Sequence, residues 1–169
     1  MIDIVEGDLT FHFSEGIDVI KFDDTVFYRE KFSRVSNNIK AVDIIAVDNK
    51  KVYFIEIKDY RHPDTKNVKQ CDLITAIINK VIFSLSAILP MKNNANKKTE
   101  KEIARKISIA NEIRVIFHIE LPPPRRTLSQ SNFNLQNFEF KLKNKLKAIA
   151  SNTKLTTNKN APSLPWDIS

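Results

Sequence analysis

Glycine and cysteine are scarce. With 2 glycines and 1 cysteine in 169 residues, the chain must turn on Asn, Asp, Pro and Lys, and Cys71 has no second thiol with which to close an internal disulfide. A lone cysteine suits a reducing compartment, so the expected location is the cytoplasm. His12, His62 and His118 stand far apart and no second cysteine joins them, which argues against a Cys/His zinc site. No stretch offers about 20 uninterrupted apolar residues. The start, Met1-Ile2-Asp3-Ile4-Val5-Glu6, lacks a basic region followed by an apolar one, so neither a membrane span nor an export signal is expected.

What the chain does have is positive charge. It carries 27 Lys+Arg against 20 Asp+Glu, a formal charge of +7, and a pI of about 9.5, so polyanions are attracted at low salt and nucleic acid is the natural candidate. Hydrophobic residues make up 42%, enough for one ordinary core, and a single domain over residues 1–169 is expected. Residues 151–169 read as a polar, proline-containing, partly ordered tail that Leu155 and Trp166 can pin to the body.

Periodicity sets the elements. Residues 9–13 alternate as a strand and turn through Ser14-Glu15-Gly16 into the apolar run 17–22, which predicts an N-terminal hairpin. Residues 24–34 combine an aspartate cap with Phe27, Tyr28, Lys31 and Phe32 at helical spacing, although Thr25 to Tyr28 also suit a strand. Residues 41–47 and 51–58 are β-rich runs joined by Asp48-Asn49-Lys50, a second hairpin. Residues 67–89 form a long, mostly buried helix, which Pro90 is expected to stop. A helix over 99–110, a strand over 113–119 closed by Pro122-Pro123-Pro124, and a helix over 134–150 complete the reading.

The second hairpin carries the chemistry. If Asn49 and Lys50 are its loop, Val47 faces Val52, Ile45 faces Phe54, and by the same count Asp43 faces Glu56. Two carboxylates about 5 Å apart across a sheet repel each other, and a cation between them reverses the sign. Lys58 lies on the face of Glu56, while Tyr53, Ile55 and Ile57 turn to the other and pack in the core. Hard oxygen ligands of this kind suit Mg²⁺ or Mn²⁺, and a bound ion would activate water while Lys58 stabilises developing negative charge.

These two runs, 40–47 and Val52-Tyr53-Phe54-Ile55-Glu56-Ile57-Lys58-Asp59-Tyr60-Arg61, resemble the core of the PD-(D/E)XK nuclease superfamily. The resemblance implies an α/β fold, a restriction-endonuclease-like αβββαβ core with a central mixed sheet flanked by helices. It further implies that Asp43, Glu56 and the carbonyl of Ile57 bind the metal, that Lys58 is the catalytic lysine, and that the substrate is a phosphodiester, preferably DNA. Val42 stands where proline is common before the aspartate. Glu30 is the candidate for a first-helix glutamate, and Gln70 and Lys80 on the long helix match places where relatives carry accessory residues.

Arg61, Lys97, Lys98, Arg125 and Arg126 are the candidate phosphate contacts, and the lysines at 141, 143, 145 and 147 form a further basic group. Nothing resembles a zinc finger or an RNA-recognition motif, so base specificity is not predicted. The rival expectations are a non-catalytic nucleic-acid-binding module and a protein-interaction domain on the same fold, with a homodimer or an accessory protein as partner.

Overall fold

The computed structural model describes residues 1–61, 70–122, 133–160 and 164–169. Its centre is β5 (Lys51–Asp59), whose residues 52–57 are buried on both faces, as expected of a strand with layers on either side. Val52 and Phe54 point into one core, whereas Tyr53, Ile55 and Ile57 point into another. Around β5 lies a five-stranded sheet in the order β3 (Asp18–Lys21), β4 (Ile44–Asp48), β5, β6 (Glu112–Glu120), β7 (Asn152–Thr156). The first two pairings are antiparallel and the last two parallel. The fold is therefore mixed α/β.

Parallel neighbours require crossovers, and helices supply them. α2 (Gln70–Asn94) and α3 (Lys98–Ser108) lie in the chain between β5 and β6, and α4 (Leu135–Leu146) lies between β6 and β7. Their apolar stripes meet in one core: Leu73, Ile77 and Val81 of α2, Ile103 and Ile107 of α3, and Phe138, Leu142 and Leu146 of α4. By length and composition α2 is apolar enough to cross a bilayer; here its stripe packs in that core.

The other face of the sheet is covered by β1 (Ile2–Glu6), β2 (Leu9–Phe13) and β8 (Trp166–Ile168), a separate antiparallel sheet. Leu9, Phe11, Phe13 and Trp166 pack there against Ile44, Tyr53, Ile55 and Ile116. Residues 9–13 therefore do not pair with the run after Gly16. They pair with β1 across a turn in which Gly7 has φ 59°, a conformation that glycine adopts without Cβ strain, and the 14–17 connection carries the chain from one sheet to the other. The segment 151–169 supplies β7 to the main sheet and β8 to the small one.

The second hairpin has the expected register, with Val47 opposite Val52, Ile45 opposite Phe54 and Asp48 opposite Lys51. Asn49 takes the turn at φ 55°, a left-handed conformation that asparagine tolerates. Pro90 does not stop α2, which continues to Asn94. A mid-helix proline costs about 3 kcal/mol, but Met91 and Ala95 beyond it are buried in the helix-side core, and their packing offsets that loss. The last helix ends at Leu146 rather than Ala150. α1 (Val26–Glu30) is short and capped by Thr25, whose Oγ1 accepts from the Tyr28 amide at 3.2 Å. A 3₁₀ turn, Phe32–Arg34, follows it.

Candidate functional site

Asp43 immediately precedes β4, and Glu56 lies within β5. Both are buried, Glu56 to 1% exposure. Burial of two carboxylates demands a cation and hydrogen bonds. Lys80, reaching from α2, is that cation: its Nζ lies 3.2 Å from Asp43 Oδ1 and 2.7 Å from each oxygen of Glu56. The remaining Asp43 oxygen accepts the Ile57 amide at 2.7 Å. Lys58 Nζ approaches Glu56 Oε1 at 3.2 Å from the solvent side. The helix and strands are also tied by Ser84, whose Oγ accepts the Val42 amide at 3.0 Å.

The charges shift one another. Burial first, and Asp43 second, push the Glu56 carboxyl up to about 7, although Lys80 and Lys58 pull the other way. For Lys80 burial acts to lower the pKa, but the attraction of Glu56 and Asp43 and the hydrogen bonds to both outweigh it, so the amine is held more firmly protonated than a free lysine. Asp23 is pushed up to about 6 by burial and then by the fields of Asp43 and Glu6. Its Oδ1 is buried without a hydrogen-bond partner among the described residues, so it joins the electrostatics of the site while standing outside the hydrogen-bonded group.

Beside this cluster opens a cleft of about 420 Å³, lined among others by Lys40, Lys58, Tyr60, Asn79 and Lys80, with Glu56 at its floor. The sequence candidates thus separate. Asp43, Glu56, Lys58 and Lys80 come together. Glu30 does not: it is exposed at the end of α1, and no hydrogen bond or ion pair links it to the cluster. Gln70 begins α2, and its side chain lies outside what the structure describes, as do Arg125, Arg126, His62 and the 123–124 prolines. Arg61 is held by Asp59, its Nε 2.9 Å from Oδ1. Lys97 caps α3 without a side-chain bond, and Lys98 pairs loosely with Glu102 at 3.7 Å.

Sequence reasoning assigned no role to Asp23 and Glu100. Asp23 follows the run 17–22, which holds the last strand before α1, and that position beside a strand end was the available signal. Glu100 shares the helical stripe of Ile103, Ala104 and Ile107. It is buried, and its carboxylate accepts the Val26 amide at 2.8 Å and the Phe27 amide at 3.1 Å, capping α1 from another element.

The carboxylates expected to hold a divalent ion are already engaged. Each oxygen of Asp43 and Glu56 already accepts a hydrogen bond from Lys80 or from the Ile57 amide, and no group of three His, Cys, Asp or Glu side chains among the described residues could hold a metal. As arranged, the residues do not fit Mg²⁺ or Mn²⁺, because an ammonium occupies the place between the carboxylates. Ile57 enters the site through its amide rather than its carbonyl.

The chain is similar to a cysteine–tRNA ligase of Neisseria meningitidis serogroup A, 29% identical over 208 aligned positions that take in 100% of this chain and 30% of the relative. No family model and no solved structure matches. The chain therefore spans about 30% of the length of the relative it matches, and the likeness is to part of an enzyme. This overturns the expectation of a metal-dependent nuclease acting on DNA: the relative is a tRNA ligase.

Proposed function

We propose that this chain is an RNA-contacting domain related to part of a tRNA ligase, with tRNA or a similarly folded RNA as its ligand. The observation that carries the reading is the match of the entire chain to 30% of a cysteine–tRNA ligase. A charge of +7 supports it, as do the exposed lysines and arginine of α3 and α4, including Lys98, Arg105, Lys141, Lys143 and Lys145. In this reading the buried Asp43–Lys80–Glu56 group is structural. It joins α2 to β4 and β5, Lys58 balances its second carboxylate from outside, and Lys40 is left to add positive potential at the cleft. The order β3-β4-β5-β6-β7, with helices between its parallel members, supports a restriction-endonuclease-like arrangement used as a scaffold.

Fluorescence anisotropy with labelled tRNA, set against a DNA duplex of similar length, tests the proposal. The expected result is tRNA binding that is tighter than DNA binding and weakens steeply from about 50 to about 200 mM salt, as phosphate contacts require. No binding to tRNA at about 50 mM salt, or a preference for the duplex, overturns it.

A further inference from the structure

α4 is the element on which the RNA reading can be made specific. Phe138, Leu142 and Leu146 face the core at spacings of four, and at 100° per residue the opposite side of the helix is centred on Phe140. Phe140 is 64% exposed. Its helical neighbours at three and four positions are Gln136, Asn137, Lys143 and Asn144, with Lys147 one turn further and Lys141 beside them, and all six are exposed. Among the described residues no ion pair engages Lys141, Lys143, Lys145 or Lys147. The one acid of the helix, Glu139, is turned away: its Oε1 accepts the Leu155 amide of β7 at 3.1 Å.

An exposed aromatic ring surrounded by lysines and amides, with no acid on its face, matches the surface that single-stranded RNA requires. A base can stack on the ring because every base has a π-face, and lysines meet the phosphates on either side. A duplex gains less, because its bases are already stacked on one another. A protein partner would need more apolar area than one phenylalanine offers, and a purely electrostatic surface would not need the ring. Resting on the RNA-contacting reading above, we infer that the outer face of α4 binds an unpaired segment of RNA, with one base stacked on Phe140 and flanking phosphates on Lys143 and Lys147.

The test uses the full chain, labelled tRNA, an oligouridylate of about 12 nucleotides and an RNA duplex of the same length. The wild type is expected to prefer the single strand to the duplex. Phe140→Ala should weaken oligouridylate binding at least about fivefold with an unchanged salt slope, since stacking releases no counterions. Lys143→Gln with Lys147→Gln should weaken binding and flatten the slope by about 0.7 per lysine. Phe140→Trp should restore binding, which a merely structural role for the ring would not do, and thermal unfolding of Phe140→Ala should match the wild type because the ring is exposed. Oligouridylate binding by Phe140→Ala within twofold of wild type, while wild type binds tRNA, overturns the α4 assignment and leaves the RNA reading standing. No RNA binding by wild type overturns both.

Discussion

Replacing Lys80 by methionine removes the one side chain that bridges Asp43 and Glu56, while keeping most of its volume beside α2. Deleting one partner of a buried ionic group typically costs about 3–5 kcal/mol, because the charge left behind has lost both water and its counter-ion. Two carboxylates are left here, but Glu56 has an escape: it can take up a proton. Its pKa is already pushed up to about 7 by burial and by Asp43, and loss of Lys80, which pulls it down, must raise it further. The penalty should therefore depend on pH. At about pH 8 the Lys80→Met chain should lose the full ~3–5 kcal/mol, whereas at about pH 5 Glu56 enters the folded state neutral and the loss should fall to about half or less.

Urea unfolding followed by far-ultraviolet circular dichroism measures this. With a slope of about 2 kcal/mol per molar urea, a loss of about 4 kcal/mol moves the midpoint by about 2 M. Adding Glu56→Gln to Lys80→Met should recover part of the loss at about pH 8, since it deletes one of the stranded charges. A midpoint shift under about 0.5 M at pH 8, or an equal shift at both pH values, would refute the assignment of Lys80 as the internal counter-ion.

The wild type carries its own pH signature. A carboxyl whose folded pKa is raised from 4.5 to about 7 contributes stability that is complete below 4.5 and lost as pH rises through 7. Urea midpoints should accordingly fall between pH 5 and pH 8, by roughly 3 kcal/mol at most for Glu56, and Glu56→Gln should flatten that fall. Lys80→Ala opens the space between Asp43 and Glu56, so millimolar Mg²⁺ should raise the melting temperature of that variant while leaving wild type unmoved; an equal rise in both would contradict the ammonium's occupancy of that space. Glu100→Ala should cost about 1–3 kcal/mol by chemical denaturation, because the Val26 and Phe27 amides lose their shared acceptor; a loss under about 0.5 kcal/mol would show that α1 needs no cap from α3. Ser84→Ala should cost about 1 kcal/mol by the same measurement, through the stranded Val42 amide.

The site was legible where local rules converge. Alternation in 51–58 and the Asp48-Asn49-Lys50 turn set the β4–β5 register without tertiary knowledge, and that register alone brings Asp43 towards Glu56. Lys80 was named only through the resemblance, as matching a place on the long helix where relatives carry an accessory residue; its contact with Asp43 and Glu56 comes from the fold. What periodicity cannot show is which distant element a side chain meets. The Thr25 cap and the Glu100 cap of α1 are separated by 75 positions in the chain, and only folding places α3 over the start of α1. β1, β7 and β8 escaped for another reason. They are 5, 5 and 3 residues long, too short to show a period, so their strand character comes from the sheet edges they join.

The same distinction explains the functional error. An aspartate, a glutamate and a lysine at these spacings form a chemical pattern that a bound metal would complete, but the pattern does not say what fills the middle. Electrostatics requires that positive charge lie between two buried carboxylates, and a metal ion supplies two units of it where an ammonium supplies one. Lys80 supplies one charge from within the chain at 2.7 Å and Lys58 a second at 3.2 Å, so the group has little net field left to draw a phosphate inward. Among the described residues, unpaired positive charge then lies elsewhere, on the exposed lysines of α4 and on Lys40 at the cleft. If the chain contacts RNA as proposed, that surface is where the polyanion should be sought.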